Sequence, residues 1–122
     1  MANEITITTG LEVNGGGLVD KFQPGGSFNL DQTNARSKAG VQAIATSAEN
    51  LDEGDLTDGG MICIKNLDDT NFVEFGVDNT GFVACGKIRP GKQALFEIAD
   101  STTLQLKADT DACDVQVLIL DK

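Results

Sequence analysis

Apolar and polar residues alternate with a period of two over most of the chain, and that period predicts strands rather than helices. Residues 3–9, NEITITT, alternate with β-branched side chains and form the first predicted strand. GLEVNGGG then interrupts, and LVDKFQPGGSFNLDQ resumes the alternation on both sides of Gln-Pro-Gly-Gly. Proline presets the first central position of a turn and glycine accepts the positive φ that follows, so a hairpin is expected there. Residues 33–40, TNARSKAG, are small and polar and read as a loop, and VQAIA at 41–45 reads as a short strand.

The next connection, TSAENLDEGDLTDGG over 46–60, is acidic and long for a compact domain, which marks it as a contact surface. Ser47 is a fair N-cap, so one short helical turn is expected near 47–52, although Asn50 stands where a capping box has Glu or Gln. Beyond Gly60 the pattern tightens into MICIKN, FVEFG, FVACGKI, QALFEIA, TLQLKA and VQVLIL, separated by Asp, Asn, Gly, Thr or Pro. Such spacing predicts antiparallel strands in meander or Greek-key order.

Two of these runs show their faces. Leu104, Leu106 and Ala108 point one way and Gln105 and Lys107 the other, whereas 114–120 is apolar on both, Val115, Val117 and Ile119 alternating with Leu118 and Leu120. A strand coated on both faces belongs in the middle of a sandwich or at a subunit contact. Asp68 to Asn71 supply one tight reversal and Asp78, Asn79 and Gly81 the next, so NLDDTNFVEFGVDNTG at 66–81 reads as a hairpin closed by a second turn. The fold class expected is all-β: one domain over 1–122, an antiparallel β-sandwich, jelly-roll-like or Greek-key, with N-terminal strands and a hairpin in 1–40 and a core meander in 41–122.

Charge narrows the partners. The chain carries 9 basic and 19 acidic residues, a net charge of −10 over 122 residues. Phosphate backbones are bound by Lys and Arg, so no nucleic-acid partner is expected. MANEITITTG has neither the basic flank nor the apolar run of a secretory leader, and no stretch reaches the roughly 20 apolar residues that span a bilayer. No membrane partner is expected, and synthesis in a cytoplasm is.

Cys63, Cys85 and Cys113 form an odd set without a CxxC pair, and the chain has no His. Neither a disulfide framework nor a zinc site follows. In a meander, Cys63 and Cys85 would lie on strands flanking a third, out of disulfide reach and facing opposite ways, so all three are expected reduced and mostly packed.

Without His, and without GxSxG, GxGxxG, P-loop or HExxH patterns, no enzyme is expected, and no cofactor either. Asp52, Glu53, Asp55 and Asp58 form one acidic cluster, and Asp109, Asp111 and Asp114 another. The second begins like a calcium loop but lacks the central Gly and has Leu120 at the twelfth position, so both read as solvated turn carboxylates and no metal is expected. Lys87, Arg89 and Lys92 gather in KIRPGKQ around a Pro-Gly turn. That basic tip either docks against the acidic loop of a neighbouring copy or guards a strand edge. The candidate interaction residues are Asn50, Asp52, Glu53, Asp55, Asp58, Lys87, Arg89 and Lys92.

Three motifs in order carry a resemblance. Asn66 to Val73 fits N-L-D-x-T-N-[FY]-V, Lys87 to Phe96 fits K-[LI]-x-P-G-[EK]-x-A-L-F, and Leu106 to Val115 fits A-K-A-D-T-x-A-C-D-[VL], with Leu106-Lys107 replacing the usual Ala-Lys start. VQAIATSAENLDEGDL at 41–56 also fits. Over its last two-thirds the chain therefore resembles small β-rich virion structural proteins of tailed bacteriophages. The resemblance implies a structural component of the virion, assembled in the host cytoplasm. Capsid decoration or cement is the first choice, and a tail, neck or fibre component the second. It implies as partners the major capsid protein or other virion proteins, and further copies of the chain in a trimer or ring. A carbohydrate-binding module for host attachment is the alternative from another class. It is disfavoured by the absence of Trp and Tyr, since sugar rings stack on aromatic faces.

Overall fold

The computed structural model describes residues 4–22, 26–32 and 34–121. Every regular element among them is a strand: β1 Ile5–Thr8, β2 Leu11–Gly15, β3 Leu18–Phe22, β4 Ser27–Leu30, β5 Ser37–Ile44, β6 Glu49–Asn50, β7 Gly59–Asn66, β8 Val73–Asp78, β9 Phe82–Ile88, β10 Gln93–Glu97, β11 Gln105–Ala108 and β12 Cys113–Asp121. The chain divides into two compact units, Met1–Thr33 and Asn34–Lys122.

In the larger unit the strands pair as a long hairpin folded on itself. β5 pairs β12, β6 pairs β11, β7 pairs β10 and β8 pairs β9, all antiparallel. Rolling that hairpin adds the β7–β12 and β8–β11 ladders, giving one sheet in the order β10-β7-β12-β5 and another in the order β6-β11-β8-β9. Nested pairs divided between two sheets in this way define an eight-stranded jelly roll. The antiparallel sandwich read from the period-two pattern is what the chain forms.

Burial follows the alternation. Along β12, Cys113, Val115, Val117, Ile119 and Asp121 are buried, while Asp114, Gln116 and Leu118 are exposed. Ile62 and Ile64 of β7 face the same interior, which is closed from the other sheet by Val73, Leu106 and Ala108. Burying each such branched side chain contributes about 1.5–3 kcal/mol. The rings of Phe75 and Phe96, one from each sheet, stack with centroids 4.9 Å apart and planes 17° from parallel.

Several local expectations are corrected. Residues 37–40 are not loop: they open β5, whose first half is held by β12 through Ser37↔Leu120 to Gly40↔Val117. No helical turn occupies 47–52; Glu49 and Asn50 instead pair with Leu106 and Gln105. Asn66 to Val73 is not a hairpin, because β7 and β8 belong to different sheets and the reversal carries the chain across the sandwich. Only β8 and β9 of the expected meander are sequential neighbours, joined by the Asp78 to Gly81 turn. Cys63 and Cys85 likewise stand in opposite sheets rather than two strands apart in one. All three thiols are free, and Cys85 is exposed rather than packed.

In the smaller unit β1 pairs β4 and β2 pairs β3. LEVNG is thus a strand and not an interruption, and β3 turns back through Gly16 and Gly17 rather than forward to β4. Both glycines have positive φ, 60° and 79°, the geometry of a two-residue primed turn. The reversal expected at Gln23-Pro24-Gly25-Gly26 lies, save for Gly26, outside the described residues. Directly paired residues share a face, so Leu11, Phe22, Val13, Asp20 and Leu18 line one side of the ribbon, and Glu12 and Lys21 stand opposite each other on the reverse.

Candidate functional site

One end of the larger unit carries the acidic loop between β6 and β7, and the other carries the basic turn between β9 and β10. The nine residues of β12 separate them, roughly 26 Å at the usual strand rise.

The acidic end is built on Asp121, whose side chain is fully buried at the close of β12. Its Oδ1 accepts the N–H groups of Thr57 and Asp58 at 3.2 and 3.0 Å, and its Oδ2 pairs with Arg36 Nε at 3.2 Å. Arg36 also donates to the Asp55 carbonyl at 3.2 Å and to Thr57 Oγ1 at 2.6 Å. One arginine and one buried carboxylate therefore hold the loop in shape.

The candidate residues of this loop divide by role. Asp52 pairs with Lys38 at 3.2 Å and accepts the Gly54 N–H at 2.9 Å, and these contacts, the backbone bond first, hold its carboxyl below the ordinary value. Glu53 is half-buried. Burial pushes its carboxyl up, the neighbouring Asp58 and Asp121 push it further, and the Gly59 N–H offsets part of the shift. A Cβ at Gly59 would meet the Glu53 carboxylate, so any side chain there would push that carboxylate aside. Asp55 contributes its backbone carbonyl, and Asp58 its N–H. Asn50 stands apart on β6, where its Oδ1 accepts Gln105 Nε2 at 3.0 Å and its carbonyl accepts Gln42 Nε2 at 3.2 Å. Among the described residues no three His, Cys, Asp or Glu side chains converge as a metal site needs.

The other end is organised by Asn66, the first residue of the 66–73 motif but not one of the candidate interaction residues. Fully buried, it donates from Nδ2 to the carbonyls of Asn71 at 2.8 Å and Ile88 at 3.1 Å, and it accepts the Asp68 N–H at 3.0 Å. Its backbone N–H bonds the Lys92 carbonyl and its carbonyl accepts the Gly91 N–H. Asp68 in turn accepts the Asn71 and Thr70 N–H groups at 2.6 and 3.0 Å, which holds its carboxyl below the ordinary value. Cys113 Sγ reaches the Asn71 carbonyl at 3.8 Å, and burial, then the surrounding aspartates, push its thiol up. Asn66-Val73, Lys87-Phe96 and Leu106-Val115 are thus brought together at one end of the sandwich. Asn66 and Asp68 hold the loops of that end through these hydrogen bonds.

Of the basic residues, Lys87 lies on β9 with Nζ 4.9 Å from the centre of the Phe72 ring, while Arg89 and Lys92 are exposed on either side of the Pro90-Gly91 turn. Acidic loop and basic turn do not meet within the unit. A separate open trough of about 560 Å³ is lined by Asn50, Asp78, Ser101, Thr102, Thr103 and Gln105 with Val77, hydroxyl and amide groups without an aromatic ring. Comparison with known proteins found no family model, no curated protein and no solved structure that matches the chain.

Proposed function

We propose that the chain is a bacteriophage virion structural protein, a capsid decoration or cement protein that stabilises the particle through repeated subunit contacts. The observation that carries this reading is the ribbon in Met1–Thr33. Leu11, Leu18 and Phe22 share one face and are 67%, 58% and 69% exposed. A two-stranded ribbon is marginal on its own, and apolar side chains left in water mark a surface that another protein covers. The major capsid protein, or another virion protein, is the partner that fits the ribbon. Jelly rolls recur in viral capsid domains, which agrees with the reading, although a fold by itself assigns no role.

The exposed basic turn of Lys87, Arg89 and Lys92, set at an end that also carries Asp68, Asp109, Asp111 and Asp114, offers a local contact between copies. With the acidic loop at the opposite end, that turn suits head-to-tail association, which closes into a trimer or a larger ring. Tail, neck or fibre placement uses the same contacts. The polar trough beside Ser101 to Thr103 favours a weaker second reading, a carbohydrate-binding module for host attachment, which a glycan array without binding would end.

Mass spectrometry of purified particles of the encoding phage tests the main reading. Copies in the hundreds mean shell decoration, and a number that matches one or a few rings means tail, neck or fibre. Particles that contain no copies overturn the proposal.

A further inference from the structure

The sheet β10-β7-β12-β5 has an outer face whose side chains fall into rows across its four strands. The middle row is apolar throughout: Leu95, Cys63, Leu118 and Ala39. One flanking row is Gln93, Lys65, Gln116 and Val41. The other sets Glu97 beside Met61 and Leu120 beside Ser37. This face is open, with Leu95 43%, Leu118 46% and Val41 63% exposed. A shallow depression of about 390 Å³ bordered by Ala39, Cys63, Lys65 and Leu118 lies at its centre.

We propose that this face binds the same face of a second copy, about a two-fold axis that runs along the middle row. The inference goes beyond the virion reading and does not depend on it. Charge selects the orientation. A two-fold along the middle row lays that row on itself and exchanges the two flanking rows, so Lys65 of each copy stands over the Glu97-Met61 pair of the other. A two-fold along the strands instead brings the two Lys65 ammonium groups side by side, which like-charge repulsion opposes.

Area supports the same occupant. Four strands about 4.8 Å apart, each five residues long at about 3.3 Å per residue with three of them facing outward, give a flat footprint of roughly 320 Å². Side-chain relief raises the accessible area to on the order of 600 Å² per copy, so the pair reaches the lower bound of a specific interface. An apolar middle row with charged and amide groups on its flanks is also the usual anatomy of such a contact.

Analytical ultracentrifugation of the full chain tests the inference. The wild type is expected to be a dimer at micromolar concentration, and Leu118→Asp a monomer with an unchanged circular dichroism spectrum. Lys65→Glu and Glu97→Lys are each expected to weaken the dimer at least tenfold, and the double exchange to restore it to within about threefold. In a Cys85→Ser background, a short bismaleimide is expected to link Cys63 of one copy to Cys63 of the other. A wild type that stays monomeric at 100 µM overturns the proposal. So do a folded Leu118→Asp chain that still assembles and a double exchange that fails to restore the dimer.

Discussion

Arg36 Nε stands 3.2 Å from Oδ2 of Asp121, a pairing that joins a half-exposed guanidinium to a carboxylate wholly out of water. The other oxygen of that carboxylate satisfies two backbone N–H groups of the acidic loop. Removing one member of a buried pair costs about 3–5 kcal/mol, because it strands the other. Asp121→Ala is expected near the low end, about 3 kcal/mol, since the freed guanidinium can reach solvent. Arg36→Ala leaves the buried charge behind and is expected to cost at least as much. Urea midpoints of the two variants check the order.

Asn66 can be replaced by a residue of nearly the same shape to separate packing from hydrogen bonding. In Asn66→Asp a carboxylate oxygen takes the place of the amide that donates to the Asn71 and Ile88 carbonyls. Oxygen then faces oxygen at hydrogen-bond distance inside the protein. Stranded buried polar groups cost about 1–3 kcal/mol each, more when charged, so Asn66→Asp is expected to lose more stability than Asn66→Ala. Thermal unfolding of both variants at pH 7 reads the difference.

Glu53 and Asp68 tune stability with pH in opposite senses. The Glu53 carboxyl is raised in the folded chain, so the native state holds its proton more tightly than the unfolded state does, and stability falls as pH rises from about 4.5 through the raised value. Glu53→Gln is expected to raise the urea midpoint at pH 7, with the advantage fading as pH drops toward 4.5. The Asp68 carboxyl is lowered, so its contribution is present above about 3.8 and is lost as pH falls through the lowered value. Asp68→Asn is expected to flatten that acid limb.

Gly76 lies where the β8–β9 ladder shifts register, with Phe75 opposite Gly86 and Gly76 opposite Ala84, so that Cys85 forms a bulge. A Cβ at Gly76 would overlap the Val83 carbonyl oxygen, which is backbone and cannot swing away. Gly76→Ala is expected to destabilise by about 3 kcal/mol or more, as steric strain at a fixed backbone site does. Gly40 has open space around its Cβ direction and an ordinary φ, so Gly40→Ala is expected to be neutral or slightly stabilising. Guanidinium unfolding of the pair isolates the steric effect.

The sandwich was legible because one face of each strand must be dry, and the alternation in Leu104, Leu106 and Ala108 states that directly. The order of the strands was not. Asp68 to Asn71 make the same side-chain turn whether the chain returns along its own sheet or crosses to the other, so local residues cannot separate a meander from a jelly roll. Lys38 and Gly40 are weak strand formers, and the β12 ladder overrides their preference. The acidic candidates were placed correctly in a loop, but the groups that shape it, Arg36 and Asp121, were missed. A signal existed: Asp121 continues the inward series Val115, Val117, Ile119, where a charge has to find a partner.

The pairing of β5 with β12 has a consequence for how the chain is made. Its longest ladder joins Ser37–Ile44 to Cys113–Asp121, the first and last strands of the jelly roll. No ribosome-bound fragment that lacks the final strand can complete this ladder, and in such a fragment both β5 and β7 wait with an open edge. Folding of the larger unit therefore begins in earnest only once β12 has left the ribosome, at the slow pace that distant strand pairing imposes, and chains still short of β12 are the stage most exposed to aggregation.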